Sequence, residues 1–190
     1  GLSEEARTKA LTDMVRRKGI ELLPWTPGLR QWQARVDLIR QLDLEEQGQS
    51  EWPDLSDAAL LSSLDGWLAP YLGRVSRLSH FASLDLQSIL QGLLPWPLPQ
   101  RLDELAPKAL QVPSGSRIAI DYSARPPVLA VRLQELFGLA ETPRIVGGRQ
   151  GVLLHLLSPA RRPVQVTQDL ASFWANTYVE VKKDLKGRYP

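Results

Sequence analysis

The sequence predicts an α+β protein. A helical bundle segment covers residues 1–107, a small β-barrel covers 108–167, and an amphipathic helix packed on the barrel covers 168–190. Three observations carry this reading. Apolar residues recur at helical spacing through the first hundred positions. From about Leu110 the period drops to two, with Gly, Pro and Ser clusters between short apolar runs. From Thr167 the helical period returns. With 190 residues, 43% of them apolar and 23% charged, the composition is ordinarily globular. A chain of this size buries about two-thirds of its unfolded surface without a disulfide or metal staple.

Ser3 is a candidate cap for the first helix, with Glu4 and Glu5 at the positive end of its dipole. Its apolar stripe is Ala6, Ala10 and Met14, with Leu11 and Val15 alongside. Arg16, Arg17 and Lys18 complement the dipole in the last turn, and Gly19 stops the helix. After the break Leu23-Pro24-Trp25-Thr26-Pro27-Gly28, a second helix over about 28–42 sets Leu29, Trp32, Val36 and Ile39 on one face. The acidic, Gln-rich stretch 43–51 reads as an exposed loop. Ser56 or Asp54 caps the next helical stretch, whose apolar face is Leu60, Leu61, Leu64, Trp67 and Leu68. Residues 84–94 form a short amphipathic helix stopped by Pro95-Trp96-Pro97, and 98–105 form a last one before Pro107.

The strand pattern follows the turn Pro113-Ser114-Gly115-Ser116. Ile118, Ile120 and Tyr122 alternate with Arg117, Ala119 and Asp121. Further strand candidates are 128–133, 144–146, 151–157 and 163–167, with a helical turn at 134–138. Five short strands and one small helix suit an OB-like barrel. An ordinary antiparallel sheet packed by helices is the competing arrangement. Thr167 caps the terminal helix, whose stripe is Leu170, Phe173, Trp174, Tyr178, Val181 and Leu185.

Composition removes several function classes. The chain has no cysteine, so disulfide frameworks, thiol catalysis and cysteine-ligated metals are excluded, and a reducing, cytoplasmic setting fits. No run of about 18 apolar residues predicts a membrane span, and Gly1-Leu2-Ser3-Glu4-Glu5 does not read as a signal peptide. Gly147-Gly148-Arg149-Gln150-Gly151 lacks the lysine and hydroxyl of a phosphate loop and reads as a hairpin turn. Ser114 and Ser116 do not form a nucleophile elbow. Of the two histidines, His155 lies inside an apolar strand and reads as a buried or half-buried strand residue. The carboxylates form no metal-like cluster, so the chain carries no visible catalytic site and no expected cofactor of its own. Residues 1–100 hold 10 basic and 13 acidic side chains, whereas 101–190 hold 13 and 8. A basic second half suits an anionic partner, nucleic acid first, and equally suits a plain solvated surface, since a net of +5 over 101–190 is mild. Trp32, Trp67 and Trp174 lie on apolar stripes and read as core. Trp25, Trp52 and Trp96 each neighbour a proline in a break.

A set of segments is distinctive in combination. Arg101-Leu102-Asp103-Glu104-Leu105-Ala106-Pro107 leads to Val112-Pro113-Ser114-Gly115-Ser116-Arg117 and Ile120-Asp121-Tyr122. Then come 127–138, the stretch 153–167 with its Ser158-Pro159-Ala160-Arg161-Arg162-Pro163 core, Phe173-Trp174, Tyr178, Val181-Lys182-Lys183 and Lys186-Gly187-Arg188-Tyr189-Pro190. Over 52–190 this closely resembles the C-terminal region of the HrpB family of bacterial ATP-dependent helicases, in the DEAH-box RNA helicase group. Residues 1–51 match in character only. The resemblance implies a fragment of a larger helicase whose missing motor domains bind ATP and Mg and hydrolyse ATP. It implies a family tail continuing past Pro190, and single-stranded RNA and the motor domains as partners. A protein-docking or scaffold module without RNA affinity is the alternative. Candidate phosphate contacts are Arg117, Arg161, Arg162, Lys182, Lys183, Lys186 and Arg188. The structural alternatives are pairing of Arg161 and Arg162 with Asp169 or Asp121, pairing of Arg117 with Asp103 or Glu104, and dipole complementation by the lysines.

Overall fold

The computed structural model describes residues 3–188; Gly1, Leu2, Tyr189 and Pro190, and the sequence readings that fall on them, lie outside the described residues. The chain divides into two compact units, Gly1–Arg101 and Leu102–Pro190.

The first unit is helical. In α1 (Glu4–Lys18) the Ser3 hydroxyl accepts from the Ala6 N–H at 3.1 Å, and Gly19 ends the helix at φ 101°. The inward row is Leu11 and Val15 with Thr12; Ala6 and Ala10 are exposed and Met14 is half-buried. A methyl group offers little area, so the helix buries its Leu and Val instead. Thr26 caps α2 (Pro27–Gln47), accepting from the Leu29 N–H at 3.1 Å. This helix continues through 43–47, where the sequence suggests a loop. Asp43 turns inward, and its Oδ2 accepts from the Ser50 hydroxyl at 2.7 Å. Ser50 in turn accepts from the N–H of the buried Trp52 at 3.1 Å. The stop comes from Gly48, left-handed at φ 74°.

Short helices follow: α3 (Asp57–Ser62), capped by Ser56, and α4 (Leu64–Trp67), whose Trp67 indole donates to the Leu60 carbonyl at 2.9 Å. Two 3-10 turns, Ala69–Tyr71 and Leu78–Ser83, lead to α5 (Leu86–Gln91). Asp85 caps α5, which makes it shorter than the 84–94 of the sequence pattern. Helix α6 (Leu98–Leu105) has the bounds its apolar period predicts. Trp32, Trp52 and Trp67 are buried, whereas Trp96 is 72% exposed.

The second unit is built on a five-stranded sheet in the order β1-β2-β3-β6-β7, with a separate two-stranded ribbon, β4-β5. The strands are β1 (Ala109–Gln111), β2 (Arg117–Asp121), β3 (Val128–Arg132), β4 (Arg144–Ile145), β5 (Gln150–Gly151), β6 (Leu153–Leu157) and β7 (Pro163–Thr167). Two features correct the sequence reading. The sheet is open, with β1 and β7 as its edges, so there is no closed OB-like barrel. Closure needs strands long enough to tilt and stagger around a ring, and β1, β4 and β5 span only 3, 2 and 2 residues. Nor is the sheet wholly antiparallel: β3 and β6 run parallel, Leu129 opposite Leu154, because residues 133–152 form a crossover.

Alternation holds inside this sheet. Ile120, Tyr122, Leu129, Val131, Leu154 and Leu156 are buried, and the Tyr122 hydroxyl donates to the Pro107 carbonyl at 2.6 Å. His155 is half-buried on β6 opposite Ala130. The C-terminal helical segment begins two residues later than Thr167 suggests. Asp169 is the cap of α7 (Leu170–Ser172), accepting from the Ser172 N–H at 2.9 Å. A single π-helical turn, Phe173–Thr177, joins α7 to α8 (Tyr178–Arg188). Among the described residues no helix is long and apolar enough to cross a membrane.

Candidate nucleic-acid interface

The C-terminal segment is seated on the loop after β3. Thr142 Oγ1 accepts from the Leu170 N–H at 2.9 Å and donates to the Gln168 carbonyl at 2.8 Å. The Trp174 indole donates to the Leu139 carbonyl at 2.7 Å. With the indole thus fixed, four rings gather. Trp174 meets Tyr178 edge-on at 5.0 Å between centroids, and Phe137 lies 6.1 Å from Trp174 and 6.2 Å from Tyr178. Phe173 closes the inner side, 5.2 Å from Trp174, and is buried.

The outer side of this cluster is open. Phe137 is 52% exposed, and Trp174 and Tyr178 are half-buried. A groove of about 200 Å³ runs beside it, lined by Phe137, Tyr178, Pro159, Lys182 and Lys186 among others. A second hollow of about 360 Å³ shares Phe137 and Tyr178 and adds Trp174 and Leu139. Tyr178, Lys182 and Lys186 are spaced by four along α8 and so fall on one face. Lys182 Nζ stands 6.0 Å from the Tyr178 ring centroid, at the outer reach of a cation–π contact.

Pro159 belongs to a tight turn between β6 and β7. The Ser158 N–H donates to the Arg162 carbonyl at 2.8 Å, and the Arg161 N–H donates to the Ser158 carbonyl at 2.8 Å. Ser158 Oγ accepts from the Arg162 N–H at 3.2 Å. Arg161 is left-handed, at φ 64°. Both arginine side chains are exposed, and neither makes a hydrogen bond or ion pair with another described residue. The tie to Asp169 that the sequence allows is absent, since Asp169 caps α7. The turn thus contributes Pro159 to the groove and carries two unpaired cations beside it in sequence.

The other candidates are distributed differently. Arg117 is exposed on β2 opposite Gln111, pairs with neither Asp103 nor Glu104, and does not line the groove. Lys183 is exposed but off the 178/182/186 row, and Arg188 is exposed at the end of α8. The groove is therefore lined by Lys182 and Lys186, and by Pro159 of the turn that also carries Arg161 and Arg162. Its rings were not singled out by the sequence: Trp174 and Tyr178 read as core stripe, and Phe137 as part of a helical turn. A signal existed, in two aromatics four apart followed four residues later by a lysine.

A family model described as ATP-dependent helicase C-terminal matches residues 67–190. The chain belongs to this helicase C-terminal family. It is 45% identical over 189 residues to the ATP-dependent RNA helicase HrpB of Escherichia coli (strain K12), covering 99% of this chain and 23% of that protein. The likeness thus includes residues 1–51, beyond the 52–190 that carry the distinctive motifs. A crystal structure of the E. coli DExH-box NTPase HrpB matches with TM-score 0.89 and 43% identity, over 100% of this chain and 23% of that one. A crystal structure of the Escherichia coli DEAH/RHA helicase HrpB matches with TM-score 0.79 and 42% identity, over 100% of this chain and 24% of that one. The helicase C-terminal chain therefore spans about a quarter of the length of these relatives.

Proposed function

We propose that this chain is an accessory module of an ATP-dependent RNA helicase that contacts single-stranded RNA. The observation that carries the reading is an open aromatic cluster bordered by unpaired cations on the second unit. Unpaired bases stack on exposed rings whatever their sequence, and cations hold the phosphates between them. Phe137, Trp174 and Tyr178 supply the rings; Arg161, Arg162, Lys182 and Lys186 supply the charge, with Lys183, Arg188 and Arg117 farther along the backbone path. The unit as a whole supports this role, with 12 basic and 8 acidic residues over 102–190. In this reading the module also braces the motor domains, in which ATP and Mg are bound, and it works in the cytoplasm. No residue of this chain is assigned to ATP or Mg, and no group of three metal-ligating side chains occurs among the described residues.

The test is fluorescence anisotropy of labelled single-stranded RNA titrated with the chain over a salt series. Four engaged cations give a slope of log K against log salt of about −3, since each contributes about −0.7 on single strands. Replacing Phe137 and Tyr178 with Ala weakens binding while leaving that slope unchanged. The exposed Trp96 of the first unit favours the second reading, docking on the helicase core. Absence of RNA binding at low salt selects it.

A further inference from the structure

A separate cavity of about 530 Å³ opens in the first unit, between the Leu78–Ser83 turn and the start of α5. Its apolar lining includes Val75 and Ile89, and its polar side chains come from distinct elements. Tyr71 is 55% exposed there. Arg74 is exposed and makes no hydrogen bond or ion pair with another described residue. His80 Nδ1 accepts from the Ser76 N–H at 3.2 Å. A backbone N–H only donates, so the neutral ring carries its proton on Nε2 and keeps a donor there. Asp85 Oδ1 accepts from the Ser88 N–H at 3.2 Å, and Oδ2 accepts from the Ser88 hydroxyl at 2.7 Å. Those bonds hold the carboxyl below its usual pKa of 3.8, and each oxygen retains acceptor capacity.

We infer that this cavity binds a single ribonucleotide, its base against Tyr71, its phosphate at Arg74 and its ribose hydroxyls at Asp85. The volume is that of a small-ligand site. The chemistry is selective because one free cation and one carboxylate line the same cavity. An acidic peptide brings a second carboxylate to Asp85, and a basic peptide brings a second cation to Arg74. A nucleotide separates the two kinds of group: its phosphate only accepts, and its vicinal hydroxyls donate. The His80 Nε2–H meets a ring acceptor of the base. The nucleotide is either free or an unpaired residue of an RNA strand. The inference is independent of the groove on the second unit.

Amide-resolved NMR titration of the 190-residue chain tests it, with adenosine 5′-monophosphate, its 2′-deoxy analogue, adenosine and a short oligoadenylate as probes. Saturable shifts confined to residues 71–89 are expected. Arg74→Ala weakens the monophosphate about fivefold, the loss of one charge-assisted contact, and leaves adenosine unchanged. The deoxy analogue binds about threefold more weakly for want of one hydroxyl contact. Saturation by the free monophosphate identifies a free nucleotide as the ligand; saturation by the oligomer alone identifies an RNA residue. Both side chains changed in the variants are exposed, and unchanged amide spectra of the first unit outside residues 71–89 confirm folding. The inference fails if no probe shifts these residues at millimolar concentration. It also fails if Arg74→Ala and Tyr71→Ala both leave binding intact, or if an acidic aromatic dipeptide saturates the site where nucleotides do not.

Discussion

Replacing Arg161 with Gly should stabilise the protein while weakening its hold on RNA. Arg161 sits at φ 64° in the turn between β6 and β7. A side chain in the left-handed region costs about 1–2 kcal/mol that glycine does not incur. Glycine returns about 0.5–1 kcal/mol of that through its greater freedom in the unfolded chain. The net expectation is a gain of about 0.5–1 kcal/mol, seen as a rise of about 2–6 °C in the unfolding midpoint. The same change deletes one of the two unpaired arginines. RNA affinity should fall about fivefold at low salt, and the salt slope should shrink by about 0.7. Arg162→Gly is the matched control, because Arg162 has no positive φ to relieve. It should lose affinity to a similar degree and lower the midpoint. Calorimetry and anisotropy on the three proteins settle the matter. A lower midpoint for Arg161→Gly refutes the strain argument, and unchanged affinity in both variants refutes the phosphate contact.

Four further outcomes are expected. Trp174→Phe removes the donor to the Leu139 carbonyl and should cost about 1 kcal/mol in urea unfolding, with weaker RNA binding as the seat of α8 loosens. Tyr122→Phe deletes the hydroxyl bonded to the Pro107 carbonyl at 2.6 Å and should cost about 1 kcal/mol by the same measurement. Leu154→Ala, at a fully buried position of β6, should cost about 3 kcal/mol and broaden the second unit's amide spectrum. Acid should weaken the first unit through two carboxylates. Asp54 is held below 3.8 by hydrogen bonds from the Ser56 backbone and then its side chain, and Asp85 by the Ser88 side chain and then its backbone. A depressed folded pKa gives stability that is present above 3.8 and lost as pH falls through the folded values. Thermal unfolding across that window should drop less for the Asp54→Asn, Asp85→Asn double variant than for the native chain.

Local periodicity made much of the architecture readable. The apolar spacing of Leu98, Leu102 and Leu105 defines α6, and the alternation of Ile118, Ile120 and Tyr122 marks the inward side of β2 and of the residue that follows it. Composition misled where a single residue governs. The acidic run 43–47 stays helical because Asp43 finds Ser50, and Gly48 rather than charge ends the helix. The strand order was beyond reach, because the partner of β3 is chosen by a crossover and not by its own pattern. The aromatic groove was hidden for a related reason. A stripe such as Phe173, Trp174 and Tyr178 reports that rings share a face, but whether something covers them depends on Phe137 from a distant loop. The exposed arginines were visible as charges; their lack of partners required knowing what Asp169 does instead.

The parallel pairing of β3 with β6 also has a consequence in time. Leu129 cannot meet Leu154 until residues 133–152 have swung back on themselves, and such non-local pairings form slowly. Those same residues hold Phe137, Leu139 and Thr142, the groups that receive the terminal helix. The seat of α7 and α8 therefore depends on the crossover, and the Trp174 indole reaches the Leu139 carbonyl only once that segment is in place. Burial of that indole should shift its emission blue, so Trp174 reports on closure of the crossover from a distance of 35 residues in sequence.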